Sequence, residues 1–284
     1  MWDGFLFIGI GFSILMFHIQ LQTVPMNVIE ISDPLLLRDF EIYCRDLQAV
    51  THGVTIPNFS VARGYSFSFL VDYFFKMHPE YIDFLKNTEH CALIHYTDEF
   101  SPQHTHVGAY LSDHYAMSTR FLDISEQGVL SVISAMQILY RLLSRSTIQS
   151  AAIVAFEQTA LGLSADDLSL KPETSGVGIL FFDASFQLKR AQIFSSRLHD
   201  PAQYCQSFIQ DLQMPVISHV LIQRGGNFAG NCSTLQTISP GIFPIFAFLK
   251  TLISKPGCHF VLIEDVLRVD WGCLVFESID PAKS

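Results

Sequence analysis

The chain has 284 residues, 49% of them hydrophobic and 13% aromatic, with 17 Lys and Arg against 27 Asp and Glu for a formal net charge of −10. That apolar content describes a core-forming globular chain and excludes a disordered one. An acidic chain without a basic run is poorly suited to nucleic acid or to an anionic membrane surface.

Taken in order, the first feature is the apolar run Phe5 to Phe17. It is shorter than the roughly 20 residues a bilayer-spanning helix needs. It also lacks the basic region and cleavage site of a signal peptide and carries Asp3 instead, so it reads as a buried strand bent at Gly9 and Gly11 rather than a membrane anchor. Residues 90–99 form the next predicted strand. His90, His95, His104, His106 and His114 crowd this region, but two histidines at i and i+2 leave a third metal ligand unspecified, so they read as solvated or interface side chains. Residues 120–128 form a strand that runs into a long apolar helix at 129–145, followed by strands at 151–158 and 176–183. Asp166 and Asp167 lie between these strands in a polar, solvated loop.

The second part repeats this order. A strand at 218–226, an apolar helical segment at 233–253 and strands at 259–266 and 271–278 match the first series. The glycine-rich stretch 223–231 lacks the residue order of a phosphate loop and reads as a tight connection. Residues 1–184 and 185–284 are therefore two similar halves. The helix 129–145 is apolar on nearly every face, which predicts burial all round. Strands such as "AAIVAF" lack alternation, as strands covered on both faces do. Together these features predict an α/β sandwich of five layers, α-β-α-β-α, with a shared helical layer between two sheets. The six cysteines include no C-x-x-C pair, so neither zinc nor a disulfide framework is indicated, and a reduced cytoplasmic protein is expected.

Gly230-Asn231, Lys255-Pro256-Gly257 and Trp271-Gly272 fall in the order found at the C-terminus of ketoacyl synthase III-type enzymes, and the segment 230–276 resembles that family. Residues 175–182 resemble its Asp-Gly-Ala-Gly-Ala strand, and "LDISEQG" (122–128) resembles the turn that carries its nucleophile. The resemblance implies a thiolase-like fold. It also implies a Cys thiolate at a helix amino end that takes an acyl group from acyl-CoA or an acyl carrier, with a His, an Asn and glycine-rich backbone completing the site.

In this chain the Cys position falls on Gly128, or on Val129 with a slip of one residue, and neither can attack a thioester. Ser125 and Ser131 are nearby hydroxyls, but no His adjoins them in sequence. His219 stands at the end of "VISH", which resembles the family's His strand. If the strand instead continues to Gln223 or Arg224, its carboxyl end has no His. Asn231 is the other remnant, with a turn or cap role as the plainer reading. The glycine loop falls on Val266-Leu267-Arg268, too bulky for close backbone approach. This pattern of losses resembles the non-catalytic subunits of heterodimeric condensing enzymes: chain-length factors and the small subunit of alkylquinolone synthase. It implies a catalytic homologue as partner, with no metal and no cofactor beyond an acyl thioester substrate of the complex. A self-sufficient acyltransferase using Ser125, Ser131 or His219, and an acyl-binding scaffold, are the alternatives.

Overall fold

Two five-stranded sheets of the same plan organise the chain. The computed structural model describes residues 17–24, 65–96, 106–124, 128–145, 147–158, 174–183, 186–196, 200–211, 215–223, 228, 230–265 and 270–278. The first series is β1 (Phe17–Thr23), α1 (Phe67–Met77), α2 (Glu80–Lys86), β2 (His90–His95), α3 (Val107–His114), β3 (Arg120–Ile124), a 3-10 turn (Gly128–Leu130), α4 (Ser131–Ser144), β4 (Ser150–Glu157) and β5 (Gly176–Asp183). The second is β6 (Gln187–Ser195), α5 (Pro201–Asp211), β7 (Val216–Gln223), β8 (Thr234–Ile238), α6 (Phe243–Ile253), β9 (Gly257–Asp265) and β10 (Asp270–Ser278).

The sheet orders are β1-β5-β4-β2-β3 and β6-β10-β9-β7-β8. Each has two antiparallel pairings followed by two parallel ones, so every strand of one sheet has a counterpart in the other. Between the sheets, Val132, Ile133, Met136 and Leu139 of α4 and Ile245, Phe246 and Leu249 of α6 pack with Ile94, Ile153, Leu221 and Val261. Phe67, Leu70 and Phe74 of α1 cover the outer face of the first sheet against Leu93, Val154 and Phe156. Phe208 of α5 covers the second against Val220, Phe260 and Leu262. The result is the expected five-layer α-β-α-β-α sandwich. Strand β4 is buried on both faces, which is why its sequence shows no alternation.

The central helices reach both sheets through matched close approaches. A Cβ on Gly178 of β5 would meet Phe246 of α6 at 3.0 Å, and one on Gly272 of β10 would meet Ile133 of α4 at 2.7 Å.

Two expectations need correction. The central helices are not buried all round: Ile138 and Arg141 of α4 and Ala247 and Lys250 of α6 are exposed. The middle layer has open sides, and each helix turns one stripe there. Residues 233–253 are not one helical segment, because Thr234–Ile238 pairs in parallel with β7 before the chain turns through Pro240-Gly241 into α6. The strand expected at 5–17 lies, apart from Phe17, outside the described residues, and β1 is described at Phe17–Thr23. Its basis is the alternation His18-Ile19-Gln20-Leu21-Gln22, with Ile19 buried in the central layer. Among the described residues, no helix is long and apolar enough to cross a membrane.

Candidate functional site

Both central helices begin at the carboxyl ends of the parallel strands, and neither has a cap of its own. Leu130 precedes α4 and Ile242 precedes α6, and neither side chain can accept a hydrogen bond from the first turn. A helix amino end left this way presents free N–H groups and a partial positive charge. Acids from the opposite sheet reach both ends.

Glu157, the last residue of β4, is 1% exposed. One of its oxygens, Oε2, accepts the backbone N–H of Phe243 at 3.0 Å and that of Ile242. Burial pushes its carboxyl up to about 8, with those two N–H groups pulling in the opposite direction. Asp265, the last residue of β9, is also 1% exposed. Its Oδ2 lies 2.5 Å from where a Cβ on Gly128 would stand. Gly128 has φ 54° and Gly241, ahead of α6, has φ 120°. Both are left-handed conformations that side chains disfavour. A Cβ on Gly241 would likewise collide with the Glu157 carboxylate.

Gly128 therefore stands at the amino end of the long helix, as the turn motif implies, without a side chain and with no room for one. Ser131 is the first residue of α4 and is fully buried, and its hydroxyl donates to the Gly128 carbonyl at 2.8 Å. Ser125 and Val266-Leu267-Arg268 lie outside the described residues.

The structure does not bring His219 or Asn231 to this end. His219 pairs in register with Val261, four residues before Asp265, or roughly 13 Å along the strand. Its Nε2 donates to His259 Nδ1 at 3.2 Å, and His259 Nε2 donates to the Lys255 carbonyl at 2.8 Å, beyond the carboxyl end of α6. Burial, then the neighbouring His259 and Lys255, hold the His219 imidazole down to about 4. Asn231 is exposed and lies three residues before β8, whose first residue pairs with His219. Strand β7 runs on to Gln223, so its carboxyl end carries no histidine among the described residues.

The histidine-rich region gathers on the outer face. His106 Nε2 donates to Asp123 Oδ2 at 2.7 Å, while His106 Nδ1 accepts the Gly108 N–H at 3.2 Å and so caps α3. His95 Nε2 lies 3.6 Å from Asp123 Oδ1. Burial raises the Asp123 carboxyl, but both imidazoles outweigh it and hold it below the ordinary carboxylate value. Because His106 Nδ1 accepts, its Nε2 carries the proton and is not free to ligate. No group that could hold a metal occurs among the described residues. His104 is not among them.

Sequence reasoning missed Glu157 and Asp265. The signal was present in "AIVAFE" and "FVLIED", where an acid closes a fully apolar strand and must find a partner inside.

Comparison with protein-family models and with curated proteins finds no match. Comparison with solved structures does. Xanthomonas campestris OleA bound to acetamide is similar at 13% identity and a TM-score of 0.51, over 68% of this chain and 75% of that one. The acyltransferase ChlB3 matches at 13% identity and a TM-score of 0.51, over 69% and 79%. The tetronic acid condensing enzyme AbyA1 matches at 11% and 0.50, over 67% and 79%. The chain has a thiolase-like fold. Within that thiolase-like frame, the carboxyl group of Glu157 stands at the amino end of α6 and that of Asp265 beside Gly128 ahead of α4.

Proposed function

We propose that the chain is the non-catalytic subunit of a heterodimeric ketoacyl synthase III-like condensing enzyme of fatty-acid, polyketide or alkylquinolone type, acting in the cytoplasm. The observation that carries this reading is the amino end of α4: Gly128 offers no nucleophile, and the Asp265 carboxylate takes the space a side chain would need. Ser131 does not substitute, since its hydroxyl is buried and committed to the Gly128 carbonyl. Condensing and acyl-transferring enzymes among the structural neighbours support the reaction class of the complex.

A partner has a face to join. Strand β3 is the edge of its sheet, with β2 on one side and no strand on the other among the described residues. It exposes Leu122 at 39%, and Ile138 on the exposed stripe of α4 is exposed to the same extent. An open strand edge beside apolar side chains is a template for pairing with another sheet. The chain then stabilises its catalytic partner and shapes that partner's acyl site. Any acyl-CoA or acyl carrier is handled by the partner, because a chain of net charge −10 does not attract an acidic carrier.

Co-expression with a Cys-containing synthase homologue tests this. The expected product is a 1:1 complex whose condensation requires the partner's Cys, with no acyl adduct on this chain by intact mass after exposure to acyl-CoA. A stable homodimer without affinity for such a homologue, or an acyl adduct on the purified chain, overturns the reading.

A further inference from the structure

We propose that the amino end of α1 and the side-chain amide of Gln158 form a separate binding site, on the outer face of the first sheet, for a neutral carbonyl oxygen carried on an apolar body, as in a thioester or an amide. The site is independent of the reading of Gly128 given above, because the sheet separates it from α4 and α6.

Successive side chains of β4 point to opposite faces. Ala155 and Glu157 face the central layer, where Glu157 meets α6, while Phe156 packs outward with Phe67 of α1. Gln158 follows the strand and continues the outward set. Its Oε1 accepts the Tyr65 backbone N–H at 3.0 Å, and Tyr65 immediately precedes Ser66, the cap residue of α1. A backbone N–H can only donate, so the amide oxygen must face it and the place of the nitrogen follows. Gln158 is fully buried, and its Nε2 has no hydrogen-bond partner among the described residues.

A buried donor without an acceptor costs free energy, and folded chains keep few of them. In this chain it stands at a helix end whose partial positive charge also favours an acceptor. Ser66 meets part of that need: its Oγ accepts the Phe69 N–H at 3.1 Å and lies 2.9 Å from Ser68 Oγ. Neither contact involves Gln158 Nε2.

The surroundings select the ligand. Phe67 stacks on Phe156 with centroids 4.5 Å apart, and Tyr65 stacks on Phe69 at 5.2 Å. An ionised carboxylate entering among these rings would exchange its hydration for one neutral amide and a helix end. A neutral carbonyl loses far less and still accepts from Nε2, and its apolar body lies against the rings. The site binds without reacting, since an amide and ring faces offer neither nucleophile nor base.

The test uses the full-length chain and four probes of matched size: S-ethyl hexanethioate, N-ethylhexanamide, ethyl hexyl sulfide, which lacks the carbonyl, and sodium hexanoate. Melting temperature is followed against probe concentration. The Gln158 side-chain amide resonances are followed in an isotope-labelled chain, assigned by their loss in Gln158→Leu. The thioester and the amide are expected to raise the melting temperature saturably and to shift those resonances, with the sulfide and hexanoate weaker by about tenfold, the worth of one hydrogen bond to a buried donor. Gln158→Leu should weaken both carbonyl probes by the same factor and leave the sulfide unchanged. A stronger thioester or a stronger amide names the source of the carbonyl, and either supports the site. The proposal is overturned if no probe binds, if the sulfide matches the thioester, if hexanoate binds better than both neutral carbonyls, or if the amide resonances stay unmoved at saturation. Where Gln158→Leu does not fold, the comparison of thioester with sulfide on the parent chain decides by itself.

Discussion

The Glu157 carboxylate accepts the backbone N–H of Phe243 at 3.0 Å, joining the last residue of a strand in one sheet to the first residue of the helix fed by the other. The contact crosses the middle layer, so each half completes a helix that belongs to the other. Its energetics follow from two opposed effects, burial against the helix N–H groups, and burial dominates.

That balance gives a pH dependence with a definite sign. The folded carboxyl titrates near 8 against an ordinary value of 4.5. The folded state therefore holds its proton after the unfolded chain has released it. The stabilisation is full below about pH 4.5 and is lost as the pH rises toward 8, by up to about 5 kcal/mol. Glu157→Gln keeps an acceptor for the Phe243 N–H and removes the titration. Its denaturant midpoint should vary less between pH 5 and pH 8 than that of the parent, and an unchanged slope would exclude Glu157 as the source.

His219 acts in the opposite direction. Its folded value near 4 lies below the ordinary 6.5. Its contribution is full above pH 6.5 and is lost as the pH falls toward 4, by at most about 3 kcal/mol. His219→Phe should flatten the acid limb of the melting curve between pH 4 and pH 6.5. A variant with the parent's acid sensitivity would point to another group.

The exposed edge at β3 carries the third prediction. Leu122→Lys places a charge on a half-exposed apolar position without disturbing the core. Affinity for a catalytic partner is expected to fall at least tenfold, about 1.4 kcal/mol, with the melting temperature of the isolated chain within a degree or two of the parent. Titration of the two subunits by calorimetry measures it, and undiminished affinity would move the interface elsewhere.

The close approach at Gly272 is testable by packing. A methyl group there meets Ile133 Cγ1 at 2.7 Å and Leu130 Cδ2 at 2.8 Å. Gly272→Ala should lower stability by about 1–3 kcal/mol through overpacking. Shortening the facing side chain with Ile133→Ala in the same chain should relieve part of that loss, so the pair of substitutions should be non-additive in urea unfolding.

Much of the fold was legible because apolar runs carry their own length and period. Residues 176–183 were predicted and found at the same bounds, and the paired order of helix and strands in the two parts exposed the duplication. The long apolar helix that follows the glycine turn was equally plain. The strands missed were β1, β6 and β8. All are edge strands, and their mixed residues resemble loop or helix when read alone. The position of Gly128 needed only spacing from Asp123. Its meaning needed Asp265, which is 137 residues away in sequence and meets it only when the second sheet docks on the first. Sequence alone therefore determined the layers, because hydrophobic period is local. Tertiary structure decided which acid stands at which helix, because a carboxylate's partner is chosen by proximity in space.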